Sequence, residues 1–367
     1  MTPRVLHVIS TAGPHPWFRT LIEDGHADPA SLIVGCVGPS GALQRDMSGL
    51  GVKTFALGAA SRMALPVAVT RLTRLLRRYR PDVVQTHLVE GSLVGLTAAR
   101  LARVPVAIMT AHHSHELPFH GRRLRWPDKL CAGTLSSHII APSRNVADIM
   151  VRELGIHRER IDVIHHGFNL DRLDPATVSG AAVRAELGLD GKLVLGAIGR
   201  LYWIKNQDAL VRAFAEADLD ATLVLVGPGD RAPLERLAAE LGIRGRVLLT
   251  GPRPDVRELL ASFDAFVHPA IAESFGMVII EAMAMGLPVM STPVGIAPDV
   301  IEAGQGVLAS SPSVPDLKRA LIELVERRAA WPAMGVAARA IASDFTAERM
   351  AREHLLLYRR LLEPAGR

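Results

Sequence analysis

The sequence predicts an α/β protein made of two successive domains, each a parallel sheet wrapped by helices. Three observations carry this reading. The chain has 367 residues, and roughly 100–200 residues per domain gives two. Short apolar runs alternate with stretches of helical periodicity, the grammar of βαβ units. That grammar breaks once near the middle and then restarts.

In the first half, residues 4–9 and 31–37 read as strands. Residues 65–79 read as a helix, with Val69, Leu72, Leu76 and Tyr79 on one stripe. A strand at 82–86, a helix at 91–101 and strands at 104–110 and 137–141 follow. Residues 171–192 change character, with Asp174-Pro175, Ser179-Gly180 and Asp190-Gly191, and read as a linker. The second half then runs strand 193–198, helix 206–217, strand 221–226, helix 231–241, strand 246–249, helix 256–262, strand 265–268, helix 278–285 and strand 288–291. Two Rossmann-like domains are expected, at 1–175 and 190–345. The last segment, 346–367, reads as an amphipathic helix whose stripe of Met350, His354, Leu357 and Tyr358 needs a surface to cover it.

Composition narrows the function. Hydrophobic residues make up 49% and charged residues 22%, which suits two packed cores and argues against general disorder. Two cysteines, Cys36 and Cys131, give no disulfide framework, so a cytoplasmic location is expected. The N-terminal apolar run is too short for a signal peptide and reads as the first strand. Residues 1–190 hold 22 Lys and Arg against 16 Asp and Glu, and 12 of the 14 histidines. Such a basic half suits an anionic partner, such as a phospholipid surface, a lipid phosphate or an acidic sugar. Arg71, Arg74 and Arg78 recur at helical spacing, and Arg122, Arg123, Arg125 and Lys129 surround Trp126. These stretches are either solvated faces or a site of peripheral docking on an anionic membrane. Nucleic acid is not expected, because aromatics total only 4% and form no visible stacking platform.

Two motifs carry chemistry. Gly199-Arg200-Leu201-Tyr202-Trp203-Ile204-Lys205-Asn206 follows the strand that opens the second domain, and ligands in open α/β sheets bind beyond the carboxyl ends of strands. Gly199 lets the backbone turn tightly. Arg200 and Lys205 are then either ordinary surface cations or a clamp on a diphosphate. The second motif runs from His268 through Glu273-Ser274-Phe275-Gly276-Met277 to Glu281 and Gly286-Leu287-Pro288-Val289. Ser274, Phe275, Gly276 and Met277 would open a helix whose N-terminal amides attract an anion. Glu281 stands among apolar neighbours and needs hydrogen-bond donors if buried. Ribose hydroxyls or a structural salt bridge would both supply them. Glu273 is either a helix-start charge or a functional carboxylate.

The order and spacing of these segments resemble glycosyltransferase family four, a group of retaining enzymes with the GT-B fold. Val226-Gly227-Pro228-Gly229 and Leu249-Thr250-Gly251 resemble its intervening loops. The resemblance implies two Rossmann-like domains facing each other across a cleft, with the C-terminal helix crossing back to the first. It implies that Arg200 and Lys205 hold the donor diphosphate and that Glu281 binds the ribose. Glu273 would lie near the transferred sugar, and Ser274, Phe275, Gly276 and Met277 would contact it and the phosphate through their backbone. No cofactor and no metal are implied, only a nucleotide-diphosphate sugar as co-substrate, a UDP-sugar or GDP-mannose.

On the acceptor side, Pro105 to His112 is similar to the family's strand ending in a histidine at the reaction centre, which assigns His112 to catalysis. The first loop, Ser10-Thr11-Ala12-Gly13-Pro14, keeps one glycine, Gly13, where many members have two, and the resemblance implies that Gly13 gives the close backbone approach that binds the donor. The segment His112-His113-Ser114-His115-Glu116 does not fit a zinc motif, because three residues separate Glu116 from His120 and Pro118 breaks the required helix. The implied activity is retaining transfer to a glycan, lipid-linked or small-molecule acceptor in envelope or glycoconjugate synthesis. Rival expectations are a sugar-nucleotide epimerase, a phosphorylase and a non-catalytic partner of another transferase.

Overall fold

A computed structural model describes residues 2–13, 15–112, 119, 125–302 and 304–363. The chain forms two compact units, Met1–Phe168 with Thr346–Arg367, and Asn169–Phe345.

The first unit contains strands β1 (Val5–Ile9), β2 (Leu32–Cys36), β3 (Lys53–Ala56), β4 (Val83–His87), β5 (Val106–Thr110), β6 (His138–Ala141) and β7 (Ile161–Val163). They form one sheet in the order β3-β2-β1-β4-β5-β6-β7, all parallel. The winding reverses between β1 and β4, and such a switch point opens a crevice at the strands' carboxyl ends. Both strands are buried along their whole length, as in a parallel sheet covered on both faces, and they bury His7, Gln85, Thr86 and His87 with their apolar residues.

Helices Leu65–Tyr79 and Val89–Ala102 cover one face through Leu72, Leu76, Val94 and Ala98. The opposite face is covered by Trp17, Phe18 and Leu21 together with Met350, Leu357 and Tyr358 of the C-terminal helix Ala347–Leu362. That helix starts at Thr346, whose Oγ1 accepts from the Arg349 amide at 3.1 Å. Its apolar stripe lies against the first sheet. The Tyr358 hydroxyl donates to Gln85 Oε1 of β4, and Gln85 Nε2 donates to Thr110 Oγ1 at 2.9 Å. These buried polar groups therefore satisfy one another.

The second unit contains β8 (Val194–Ile198), β9 (Thr222–Val226), β10 (Val247–Gly251), β11 (Ala265–His268), β12 (Val289–Ser291) and β13 (Gly306–Leu308). Their order is β10-β9-β8-β11-β12-β13, again parallel. Leu195, Leu223 and Val267 of the sheet pack with Phe214, Leu317 and Leu321 of the covering helices. Gly196 makes room for Phe263, whose ring lies 2.0 Å from where a Cβ would stand.

The segment 171–192 is part of the second unit, which begins at Asn169. It holds the helix Ala181–Leu187. Gly180 packs on the Ala261–Ser262 backbone, and Arg184 Nε donates to Ser262 O at 2.8 Å and its Nη2 to Asp264 at 2.7 Å. These contacts join residues far apart in sequence, so local composition did not reveal them. The edge strands β7 and β13 have three residues each, too few to display a period.

Replacing Tyr358 by Phe leaves the Gln85 carbonyl buried without its donor. The expected cost is about 1–3 kcal/mol, read as a lower urea midpoint for the transition that reports the first unit.

Candidate functional site

In the second unit, the loops after β8 and β9 interlock through backbone alone. Gly199 N donates to Val226 O and Leu201 N to Pro228 O, both at 2.8 Å. Gly227 sits at φ 149° and would place a Cβ 2.0 Å from Gly199 O. Only glycine tolerates that approach and that dihedral. Arg200 is thereby held on a fixed turn, with its own carbonyl accepting from Gln207 Nε2 at 2.9 Å. Its side chain is exposed.

Asn206 connects this turn to the rest of the site. It adopts a left-handed conformation, φ 59°, which Asn accepts better than most residues. Its Nδ2 donates to Pro269 O at 3.1 Å and to Pro312 O at 2.9 Å. The Ile271 amide donates to Ile204 O at 2.8 Å. The turn Trp203–Lys205 is thus tied to the loop that follows β11, and Lys205 Nζ meets the Glu273 carboxylate in an ion pair. Glu273 Oε1 also accepts from the Ser274 amide at 3.2 Å.

His268, at the end of β11, is buried, and its Nε2 lies 3.7 Å from Glu273 Oε2, beyond hydrogen-bond reach. Burial holds its pKa down to about 4, the Lys205 cation adds to this, and Glu273 opposes it. His268 is therefore neutral at pH 7.

Gly276 caps the helix Met277–Ala284 at φ 87°. Phe275 is buried against Phe345, ring centroids 6.1 Å apart, and its carbonyl accepts from Ile296 N at 2.7 Å. Gly295 passes so close to that carbonyl that a Cβ would stand 2.4 Å away. Ser274 is half-buried and Met277 is 45% exposed. The stretch thus presents helix-opening amides on a rigid frame.

Glu281 lies on the second turn of this helix, half-buried. No salt bridge holds it, so the structural alternative raised by the sequence does not apply among the described residues. Burial pushes its carboxyl up to about 7. Arg200, Lys205, Glu273, Gly276 and Glu281 therefore come from loops and a helix at the carboxyl ends of β8 and β11. Sequence reading placed Asn206 and His268 at the ends of the two motifs but gave neither a role. The only local signals were a histidine closing a strand and an Asn at a helix start.

In the first unit, Gly13 is exposed after β1 with open space around it. The tight glycine there is Gly41, where a Cβ would stand 2.8 Å from Ala12 O. His112 follows β5 and is half-buried. Its Nε2 lies 3.0 Å from His87 Nδ1, and its ring stacks on His166 at 5.8 Å and 7°. His87 Nε2 lies 3.1 Å from His7 Nδ1. Residues 113–118 and His120, with Arg122 and Arg123, lie outside the described residues.

Glu281→Gln should raise stability above pH 7. The sign follows from the raised pKa: the fold keeps this carboxyl protonated where the unfolded chain has lost the proton, so wild-type stability falls as pH rises from about 4.5 to about 7. The amide removes that loss, a gain of roughly 1–3 kcal/mol, measurable as urea midpoints at several pH values. An unchanged stability difference across that window would contradict the assignment.

Comparison with known proteins places these features in a family. Residues 181–340 match the model of glycosyl transferases group 1, and residues 21–172 match that of glycosyltransferase family 4. The 2-deoxystreptamine glucosyltransferase of Streptomyces kanamyceticus is 29% identical over 288 residues, 71% of this chain and 73% of that protein. The D-inositol 3-phosphate glycosyltransferase of Nocardia farcinica is 35% identical over 226 residues, 58% of this chain and 50% of that protein. The chain thus spans about half the length of that relative. Among solved structures, Anabaena HepE in complex with UDP and glucose superposes with a TM-score of 0.84 at 22% identity, covering 98% of this chain and 100% of that one. WaaG, a glycosyltransferase involved in lipopolysaccharide biosynthesis, gives 0.70 at 18% identity, covering 96% and 99%. With two parallel-sheet α/β domains and both family models matched in order, the chain belongs to glycosyltransferase family 4 and has the GT-B fold.

Proposed function

We propose that this protein transfers a sugar, with retention of anomeric configuration and without a metal ion, from a nucleotide-diphosphate sugar to a hydroxyl acceptor. The observation that carries the reading is the second unit's constellation. An exposed arginine and a lysine stand on a turn locked by glycine, beside a helix opening at Gly276 and a half-buried carboxylate with no ion-pair partner among the described residues. Arg200 and Lys205 neutralise the diphosphate in place of a metal, with the helix amides adding to them. Glu281 accepts from the ribose hydroxyls, which supply the donors its burial calls for. Glu273, oriented by Lys205, faces the transferred sugar, together with the backbone of Ser274, Phe275, Gly276 and Met277.

His112, at the reaction centre, hydrogen-bonds the transferred sugar, and Gly13 lets the backbone approach the donor. The acceptor oxygen forms its bond to the anomeric carbon on the face from which the phosphate oxygen departs. The acceptor proton passes to that leaving oxygen, so no enzyme nucleophile is needed.

The donor is a UDP-sugar or GDP-mannose. UDP is favoured because the structurally similar HepE was solved with UDP and with UDP-glucose. The acceptor is a small polyol, an aminocyclitol or a lipid-linked glycan, the range spanned by the names of the relatives. One of these is a galactosyltransferase of Escherichia coli acting on a diphosphoundecaprenol-linked sugar.

No helix among the described residues is long and apolar enough to cross a membrane. Peripheral binding at the cytoplasmic membrane face is the accompanying proposal. Arg74, Arg78 and Arg80 are exposed on and just after the helix Leu65–Tyr79, whose N-terminal end carries the exposed Met63 and Val67. Each basic group near an anionic surface contributes about 1 kcal/mol.

A thermal-shift panel of nucleoside diphosphates and nucleotide-sugars tests the donor. The true donor should raise Tm most, because ligand binding to the native state stabilises it. Arg200→Ala and Lys205→Ala should each weaken diphosphate binding by roughly 10-fold or more, about 1.5–3 kcal/mol for a charge-assisted contact, in titration calorimetry. No shift with any nucleotide would refute the transferase reading. Sugar-nucleotide turnover without any acceptor, giving an epimeric product, would favour the epimerase.

A further inference from the structure

Three imidazoles run in file through the first unit. His7 stands in the middle of β1 and is fully buried. His87 closes β4, also fully buried, and His112 follows β5. His7 Nδ1 and His87 Nε2 are 3.1 Å apart, and His87 Nδ1 and His112 Nε2 are 3.0 Å apart. The His7 and His87 rings stack at 5.3 Å and 29°, and those of His87 and His112 at 5.3 Å and 23°. Trp17 and Phe18 close around the file, each within 5.3 Å of the His87 ring. Leu88, which turns the chain from β4 into the helix Val89–Ala102, sits at φ 64° and ψ 167°. That conformation is nearly confined to glycine and persists only where surroundings enforce it. The strain lies directly beside His87.

Proton counting gives the file a direction. Each neutral imidazole carries one N–H. Burial, helped by the neighbouring histidines, keeps both His7 and His87 far below the ordinary imidazole range, so both are neutral. Only two arrangements then satisfy both contacts. If His112 donates to His87 and His87 to His7, the His7 proton must sit on Nε2. That atom is buried with no hydrogen-bond partner, and an orphaned buried N–H is the rarer and costlier defect. If His7 donates from Nδ1 to His87 Nε2, His87 donates from Nδ1 to His112 Nε2, and His7 Nε2 is left as a bare lone pair. His354 sets a precedent beside it. Its Nδ1 contacts Met350 O at 2.9 Å and must carry the proton, while its buried Nε2 is an unpartnered lone pair.

We propose that His87 is a positioning residue that, backed by His7, holds His112 as the Nδ1–H tautomer with its ring plane fixed. His112 then offers a donor from Nδ1, and Nε2 is occupied as an acceptor. This rests on the reading of His112 as the residue that faces the transferred sugar. A donor there suits a sugar hydroxyl or ring oxygen. The file does not accept a proton during transfer, because the leaving phosphate takes it. Its role is to remove the freedom of His112 to rotate or to exchange tautomer, as a hydrogen-bond partner on the far nitrogen does for a ligating histidine.

Long-range 1H–15N spectra of the full-length chain with 15N-labelled histidine read the tautomers directly, without a substitution. His7, His87 and His112 should all show the Nδ1–H pattern, and a wild-type His112 in the Nε2–H form overturns the proposal. Two variants separate positioning from bulk packing. Asn places its amide near the imidazole Nδ1 position, and Gln near Nε2. His87→Asn should keep kcat within about 3-fold, because it still donates to His112. His87→Gln should lower kcat by roughly 10- to 100-fold with the donor KM little changed, and His112 should then show mixed tautomers. Turnover is followed as nucleoside diphosphate released from the donor selected by the thermal-shift panel. Equal losses in both variants would refute a specific contact. His112→Ala with unchanged kcat would instead sink the role of His112 itself, leaving the tautomer assignment standing.

Discussion

The candidate site of the second unit depends on the side-chain amide of Asn206. One amide group bonds the carbonyls of Pro269 and Pro312, which belong to loops after different strands. Proline carbonyls are available because they sit in irregular backbone with no ladder partner. By capturing two of them, Asn206 fixes where the turn carrying Lys205 stands relative to the loop carrying Glu273. The Lys205–Glu273 pair follows from that placement. A second constraint of the same kind acts through glycine. Gly227 and Gly295 let backbone approach backbone at Gly199 and Phe275, so the cation-bearing turn and the helix opening rest on main chain rather than on mobile side chains. Preorganisation of this sort lets a site stabilise developing charge without rearranging.

The two carboxylates of the site have opposite electrostatic surroundings. Glu273 has a cation against it, a backbone amide on one oxygen and a neutral buried histidine behind it. Glu281 has apolar helix neighbours and, among the described residues, no salt-bridge partner, and burial raises its pKa. A carboxyl whose pKa is raised by burial costs stability as pH rises through that value. In the first unit the pattern reverses. His7, His87 and His354 are buried and neutral, and their satisfaction comes from one another and from backbone, not from charge.

Family membership fixes the architecture and the class of chemistry, while specificity lies in what fills it. The matched relatives carry names that span an aminocyclitol, an inositol phosphate and a lipid-linked sugar. One fold thus serves acceptors that share only a hydroxyl nucleophile, as expected where function resides in grafted sites. The first unit's aromatic and imidazole packing around Trp17, Phe18 and His87 is where this chain differs from a plain aliphatic sheet core.

The sequence by itself determined the two parallel sheets, because fully buried strands read as continuous apolar runs and the alternation with helices restarted after one break. It also singled out Arg200, Lys205, Glu273 and Glu281, since they lie on strand-end loops and one helix whose order along the chain is itself the signal. Tertiary structure decided what depends on partners distant in sequence. It assigned residues 171–192 to the second unit through Arg184 and Gly180, and paired Lys205 with Glu273 across 68 positions. It left Glu281 without a salt bridge among the described residues, and it lined up His7, His87 and His112 from three adjacent strands and their ends. A local pattern records which face of an element is apolar. Which polar groups meet across the sheet is set by strand order and register, and those emerge only when the chain has folded.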